Sequence, residues 1–534
     1  MGGSRRIRGM GNMVRGWSVL LGAIVACQVI SANFVLGDIA ESQVLVVYNS
    51  AATDATALKN AYLAAHPGIP TANVLDLNDA TLLANPANLT YAQFKTSIRD
   101  PIRAYLTGGF GPTPQTIISI VLIRPMPHRI LDSDFPLAGD NGTNSGNEVN
   151  AGDATYAAVD AELVLLWQNL DAGEAGGTMD SKTDNMIDNP YHQSSLPINS
   201  CGTCARSNIQ VAKTFTNSFN FFWALGGSGA TQLRPGDIYL VCRIDGNSLA
   251  DAMASITRAQ NLRINKANGI ILLDEYNVDG GANDLDDDGL GIPNDPFLAG
   301  DDYEETAAIM ALNGWTVRYD GTANFIDSTE ETRPIIGFAS YGENHKRCPG
   351  CEDPPGNATY IQGFRFPSGA MFNTIESDNG RALNGLSTVF GLEQVADFIS
   401  EGGTFGVAQV WEPFSFTVPD NEFLFVNFLV NGRTWAEAAY SSLPALSWQQ
   451  IVVGDPLAKA NVVDDPGLPM GDFNGDGNVD GLDIEWYVDI VLNGVTGYHA
   501  AFPTLDPIIR GDFDGDFAVT LNDLPGFLAV LLAI

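Results

Sequence analysis

Positive charge is what this chain has least of: 27 lysines and arginines stand against 63 aspartates and glutamates, a formal net charge of −36. A field of that sign repels phosphate backbones and anionic headgroups, so nucleic acid and anionic membrane are excluded as partners and cations or basic proteins are favoured. Long apolar runs are missing as well. None reaches the roughly 20 residues that a membrane-spanning helix needs, and no stable membrane span is expected. Histidine is scarce, with five in 534 residues. His128 and His345, each just after an expected strand, are the catalytic candidates, and neither has a sequence partner that would complete a nucleophile–base set. Cysteine is limited to six residues, four of them in two knuckles, Cys201-Gly-Thr-Cys204 and Cys348-Pro-Gly-Cys351. Such knuckles can close a four-thiolate zinc site, or in an exported chain pair as disulfides, and the sequence leaves both open. Cys242 sits inside an apolar strand and reads as a buried free thiol. The acidity is not that of a disordered chain, because 45% of residues are hydrophobic and only 17% are charged.

The carboxylates that are present cluster. Near the carboxy terminus, Asp472, Asn474, Asp476, Asn478, Asp480 and Asp483 occupy positions 1, 3, 5, 7, 9 and 12 of one loop. Asp512, Asp514, Asp516, Ala518, Thr520 and Asp523 occupy the same positions of a second. Side-chain oxygens at this spacing, with a backbone carbonyl at position 7, suit Ca2+, a hard ion that takes six to eight oxygens in a forgiving geometry. Each loop precedes a short apolar run, Leu482, Ile484, Trp486, Tyr487, Ile490 and Val491 in one case and Leu521, Leu524, Phe527, Leu528 and Leu531 in the other. Helices this short do not hold alone, so a back-to-back pair sharing one core and stapled by metal is expected.

This repeat pair resembles a type I dockerin, whose loops also end in Asp at position 12, as Asp483 and Asp523 do here. The resemblance implies a calcium-dependent docking module over about 471–534 and a cohesin-like or other extracellular protein as partner. Two departures stand against a full match. Phe517 replaces the glycine at position 6 of the second loop, and the Ser-Thr pair with which dockerins often touch a cohesin is Gly481-Leu482 and Leu521-Asn522.

At the other end, Arg5, Arg6, Arg8 and Arg15 precede an apolar core from Ser18 to Ile30, which reads as a secretory signal over residues 1–32 with cleavage after Ala32. Ile24-Val25-Ala26-Cys27 also fits a lipobox, so the alternative to a secreted protein is one lipid-anchored through Cys27. Loss of a leader with four arginines and no acid leaves the mature chain more acidic still.

Between the ends, residues 40–462 alternate apolar strands with helices, followed by a linker over 463–470. Strands are expected at Val44–Tyr48, Ile117–Ile123, Ile238–Cys242, Gly269–Leu273, Ile335–Ala339 and Phe405–Gln409, and helices at Ala55–Ala65, Tyr91–Leu106 with a break at Pro101, Leu249–Leu262 and Glu304–Leu312. The fold class is α/β, a mainly parallel sheet with helices on both faces, and chemistry belongs at the carboxyl ends of the strands. Val44-Leu-Val-Val-Tyr-Asn49, Val159-Asp-Ala-Glu-Leu163, Asn189-Pro-Tyr191, Tyr239–Gly246, Trp411-Glu-Pro413 and Val453–Leu457 resemble an uncharacterised family of secreted bacterial domains. More distantly the layout is similar to gingipain-type, caspase-like cysteine peptidases. That likeness implies a His after one strand and a Cys after the next. His345 fits the first place, but Glu376-Ser-Asp-Asn379 stands at the second, and Ser377 lacks the elbow that exposes a nucleophile.

A third acidic loop has Asp284, Asp286 and Asp288 before Gly289, with Asp295 at position 12, and resembles the calcium turns of thrombospondin type 3 repeats. Asp160, Glu162, Asp245, Glu412 and Asp455 read as caps or turn holders, not acid–base groups. The whole reads as a secreted calcium-binding protein with a binding or scaffold body. The alternative is an extracellular hydrolase of polysaccharide or peptide docked by the same tail, since dockerins accompany such enzymes.

Overall fold

The computed structural model describes residues 38–131, 157–167, 187–198, 235–275, 303–342, 361–383, 394–463 and 468–532, apart from 85, 323, 362, 412, 414–416, 504 and 517. The expected leader with Cys27, the paired cysteines Cys201, Cys204, Cys348 and Cys351, the loop from Asp284 to Asp295 (with Asp286 and Asp288), Glu412 and His345 lie outside the described residues.

Ten strands form the main sheet: β1 Val44–Tyr48, β2 Val74–Asp76, β3 Ser119–Ile123, β4 Leu240–Ile244, β5 Ile270–Asp274, β6 Thr316–Asp320, β7 Ile335–Ser340, β8 Met371–Thr374, β9 Phe405–Gln409 and β10 Gln450–Val453. Their order is β6-β5-β7-β8-β9-β10-β4-β3-β1-β2. Runs such as Val44–Val47 and Ile120–Ile123 are apolar at every position and buried throughout, as strands covered on both faces must be. The sheet contains one winding twice. In β2-β1-β3-β4 and again in β6-β5-β7-β8, the first strand is central, the second lies outside it and the next two are added on the other side. Pairing is parallel within each half, and β10, parallel to β4 but antiparallel to β9, joins them. The two halves therefore run in opposite directions, which makes the sheet mixed although mostly parallel, with carboxyl ends at both edges.

Helices α1 Ala55–Ala65, α2 Asp100–Thr107, α3 Val159–Val164, α4 Leu249–Ala259, α5 Tyr303–Leu312, α6 Val395–Ser400, α7 Asn421–Leu429 and α8 Trp435–Ser442 cover it. Neighbouring residues of β9 show that both faces are used. Phe405 packs on Phe428 of α7 and Trp435 of α8, while Gly406 faces α6 so closely that a Cβ would lie 2.4 Å from Val395 Cγ2. The expected break at Pro101 is resolved differently. Tyr91–Phe94 begins the helix, Lys95–Arg99 widens into a π-helical stretch, and α2 resumes at Asp100. Proline offers no N–H to the preceding turn, and the wider turn ahead of it absorbs the loss without ending the helix.

Helices α9 Ile484–Asn493, α10 Val495–Ala501, α11 Pro507–Gly511 and α12 Leu524–Leu531 follow at the carboxy terminus. They enclose a second hydrophobic cluster, Phe473, Tyr487, Ile490, Tyr498, Leu505 and Phe527, distinct from the cluster around the sheet. Tyr487 Oη donates to Thr520 O at 2.6 Å and Tyr498 Oη to Phe473 O at 2.8 Å, tying each acidic loop to a helix of the other half of the tail or of its own. Arg263 donates to Pro503 O at 2.8 Å and Arg365 to Gly515 O at 3.0 Å, linking tail to sheet unit. Among the described residues no helix is long and apolar enough to cross a membrane.

Candidate functional site

The two carboxy-terminal loops are built by the same hydrogen bonds. In the first, Asp472 Oδ1 accepts from the backbone N–H of Gly475 at 2.7 Å and Asp476 at 3.2 Å. Asp483 Oδ1 accepts from Phe473 at 2.7 Å and Asn474 at 3.0 Å, and its Oδ2 from Asp480 at 2.8 Å. In the second, Asp512 Oδ1 accepts from Gly515 at 2.6 Å and Asp516 at 2.9 Å. Asp523 Oδ1 accepts from Phe513 at 2.7 Å and Asp514 at 3.1 Å, and its Oδ2 from Thr520 at 2.7 Å. The position-1 and position-12 carboxylates thus fold each loop into a ring whose remaining acids point inward or to solvent. Gly477, at position 6, has φ +90°, a left-handed conformation that suits glycine.

Carboxylate oxygens of Asp512, Asp514 and Asp516 lie within 4.8 Å of one another. At that spacing three negative charges repel, and an all-oxygen donor set of this kind fits a hard divalent ion. In the first loop the middle position holds a neutral amide, Asn474, whose Oδ1 accepts from Asp476 N–H at 2.8 Å, while Asp476 accepts from the backbone and side chain of Asn478. Those bonds hold the Asp476 carboxyl below the usual carboxylate range. Burial pushes Asp483 up, against three backbone N–H bonds that favour its charge, with the neighbouring Asp472 charge adding to the rise.

Beside these loops runs an apolar groove of about 210 Å³ between α9 and α12, lined by Ile484, Val488, Leu492, Leu521, Leu528 and Leu531 among other apolar side chains. Leu492 is 74% and Leu521 69% exposed.

The strand ends of the sheet hold charge in paired form. Arg243, on β4 and fully buried, binds Asp160 of α3 through Nε at 2.9 Å and Nη2 at 2.5 Å, and Asp245 through Nη1 at 3.0 Å. Arg124, after β3, reaches Asp245 at 3.5 Å and Asp54 at 3.2 Å. Glu162 accepts from Ser447 Oγ. Asp160, Glu162 and Asp245 therefore hold structure together, as expected of them, and Cys242 is buried and free. His128 is fully buried; its Nε2 donates to Arg381 O at 2.8 Å, and burial, with the Arg243 and Arg129 charges, drives the imidazole well below its ordinary pKa. It is a neutral packing histidine with Nε2 protonated, not a group exposed to substrate. Glu376, after β8, is buried against Gly342, where an added Cβ would lie 2.1 Å from Glu376 Cγ.

Sequence reading missed two groups. Asp274, at the carboxyl end of β5, is 1% exposed; its Oδ2 accepts from Ile326 N–H at 3.0 Å and Oδ1 has no hydrogen bond. Burial raises its pKa well above the ordinary carboxylate value, with the Asp320 charge in the same direction. His66 lies between Glu41 and Asp455. A polar residue ending an otherwise apolar strand was the available signal for Asp274; none existed for His66, whose partners are remote in sequence. No protein-family model, no curated protein and no solved structure matches this chain.

Proposed function

We propose that this is an exported calcium-binding protein whose carboxy-terminal repeat pair, a small helical dockerin-like domain, attaches it to an extracellular complex or surface while the α/β unit serves as a binding or scaffold body. The observation that carries the reading is the bond-for-bond repetition of the Asp472–Asp483 ring in Asp512–Asp523, with three carboxylates gathered in the second. Those residues would hold Ca2+, which neutralises the gathered acids and fixes the helix starts. The exposed leucines beside them supply apolar area of the kind that marks protein interaction sites, and the acidic surroundings favour a partner with basic groups at its rim. A cohesin-like protein is one such partner. Zinc at the cysteine knuckles and calcium at Asp284–Asp295 stay part of the same proposal.

Metal analysis of the purified full chain tests it. Three calcium ions per chain that chelator removes are expected, two in the carboxy-terminal loops and one at Asp284–Asp295, and a chain that takes up no calcium overturns the reading. A second reading, an extracellular hydrolase, rests on Asp274 alone: a buried carboxyl at a strand end whose pKa burial raises is the sort of group that catalysis uses.

A further inference from the structure

His66 closes α1 at its carboxyl end, and both of its ring nitrogens face carboxylates. Nδ1 lies 3.1 Å from Glu41 Oε1 and Nε2 lies 2.7 Å from Asp455 Oδ2. A neutral imidazole has one N–H and one lone pair, so one of these contacts would set a lone pair against an anion. Only the imidazolium donates to both. Glu41 belongs to the turn that leads into β1, and Asp455 to the turn that follows β10. The same two segments are joined again by Lys459 Nζ and Asp38 Oδ2 at 2.7 Å. Asp455 is fixed for its part, accepting from Tyr62 Oη at 3.2 Å and from Leu457 N–H at 3.0 Å.

We infer that His66 is an acid-set latch, its imidazolium holding the amino-terminal strap, residues 38–43, to the turn that closes the α/β unit, and releasing the strap when the ring loses its proton. The groups facing it are Glu41 from the strap, Asp455 from the closing turn, Tyr62 from its own helix and, behind Asp455 and Tyr62, the buried Cys242 thiol of β4. Burial on its own lowers the imidazole pKa; the bonds and charges of Asp455 and Glu41 outweigh it, and the net shift is upward from 6.5. A folded-state pKa raised in this way means that the latch is fully engaged below the unfolded value and lost as pH rises through the folded one. Its strength falls on the strap because Glu41 is the more exposed partner, whereas Asp455 is buried.

The test is histidine NMR and hydrogen exchange on the intact chain, wild type beside Glu41→Gln and His66→Gln. In wild type His66 titrates above 6.5, and Glu41→Gln lowers that value. Protection factors of strap amides fall between about pH 6 and about pH 9 as the latch loses its proton. In His66→Gln that pH dependence is gone. A wild-type His66 titrating at or below the ordinary value, or a strap equally protected at both pH values, overturns the latch. So does an identical loss of protection in His66→Gln, and if that variant fails to fold, the Glu41→Gln titration decides alone.

Discussion

Arg243 shows what a single residue does in this fold. Its guanidinium has no exposed surface and spends its donors on Asp160 and Asp245. The chain of charge continues through Arg124 to Asp54, which is partly in solvent. Burial disfavours the charge of Arg243, yet its two carboxylate partners keep it firmly protonated, while Asp245 is raised by burial in spite of the arginine. Such a pair adds little over an apolar substitute when both partners are replaced, but is costly when one is removed. Arg243→Met is therefore expected to destabilise the chain by about 3–5 kcal/mol, since it leaves Asp160 buried without its cation and Asp245 with Arg124 alone. The double variant Arg243→Met, Asp160→Leu should recover part of that loss. Urea unfolding with an unchanged m value measures both, and equal stabilities for single variant and wild type would rule the argument out. Of this network the Arg243 and Asp245 pair stands in plain view two residues apart, while Asp160, 83 residues away, does not. No local rule joins residues that meet only after the sheet has formed.

At the scale of elements the acidic loops are the most legible part of the chain. Position-1 and position-12 carboxylates were assigned from spacing and are found bracing each ring against its own backbone. The difference between the loops lies at position 6, where Gly477 takes φ +90° and the second loop has Phe517, itself outside the described residues. A left-handed conformation costs a side chain with a Cβ about 1–2 kcal/mol, which is about one decade in affinity. Phe517→Gly should tighten calcium at the second loop by about that factor and leave the first unchanged, as read by calorimetric titration; unaltered binding at both would mean that position 6 bears no strain. Strands were legible for a different reason: β1, β3, β4, β5, β7 and β9 are mostly apolar, with Arg243 of β4 the one charge inside such a run, and each appears within two residues of its expected place. Helices α7 and α8 were not foreseen. Asn421–Leu429 is apolar on nearly every side and buried between the sheet and its neighbours, so it lacks the amphipathic period by which a surface helix is recognised. The reversal of direction at β10 was likewise invisible, because Gln450–Val453 carries no mark of which neighbour it will pair.

The described residues hold two hydrophobic clusters, and they differ in what sustains them. The ten-stranded sheet is covered by helices on both faces and pairs the buried charge of Arg243 with Asp160 and Asp245. The tail has helices of 10, 7, 5 and 8 residues, all below the length at which a helix holds by itself, around a core of six fully packed side chains. Its gathered acids repel one another in the folded form, and on the proposed calcium reading a bound cation would be what offsets that repulsion. Calcium at a hundredfold excess over its dissociation constant would add about 2.7 kcal/mol to whatever folds around one site. The described joints between tail and sheet unit include two arginines that donate to backbone carbonyls, Arg263 to Pro503 and Arg365 to Gly515, neither of which is a buried charge pair. Joints of this sort transmit little cooperativity. Scanning calorimetry of the full chain in calcium should then resolve two transitions, and chelator should lower only the one that carries the tail's helical signal. A single transition that moves as a unit on chelation would mean that the loops stabilise the sheet too, and that the acidic tail is a structural cap on the body instead of a separable attachment.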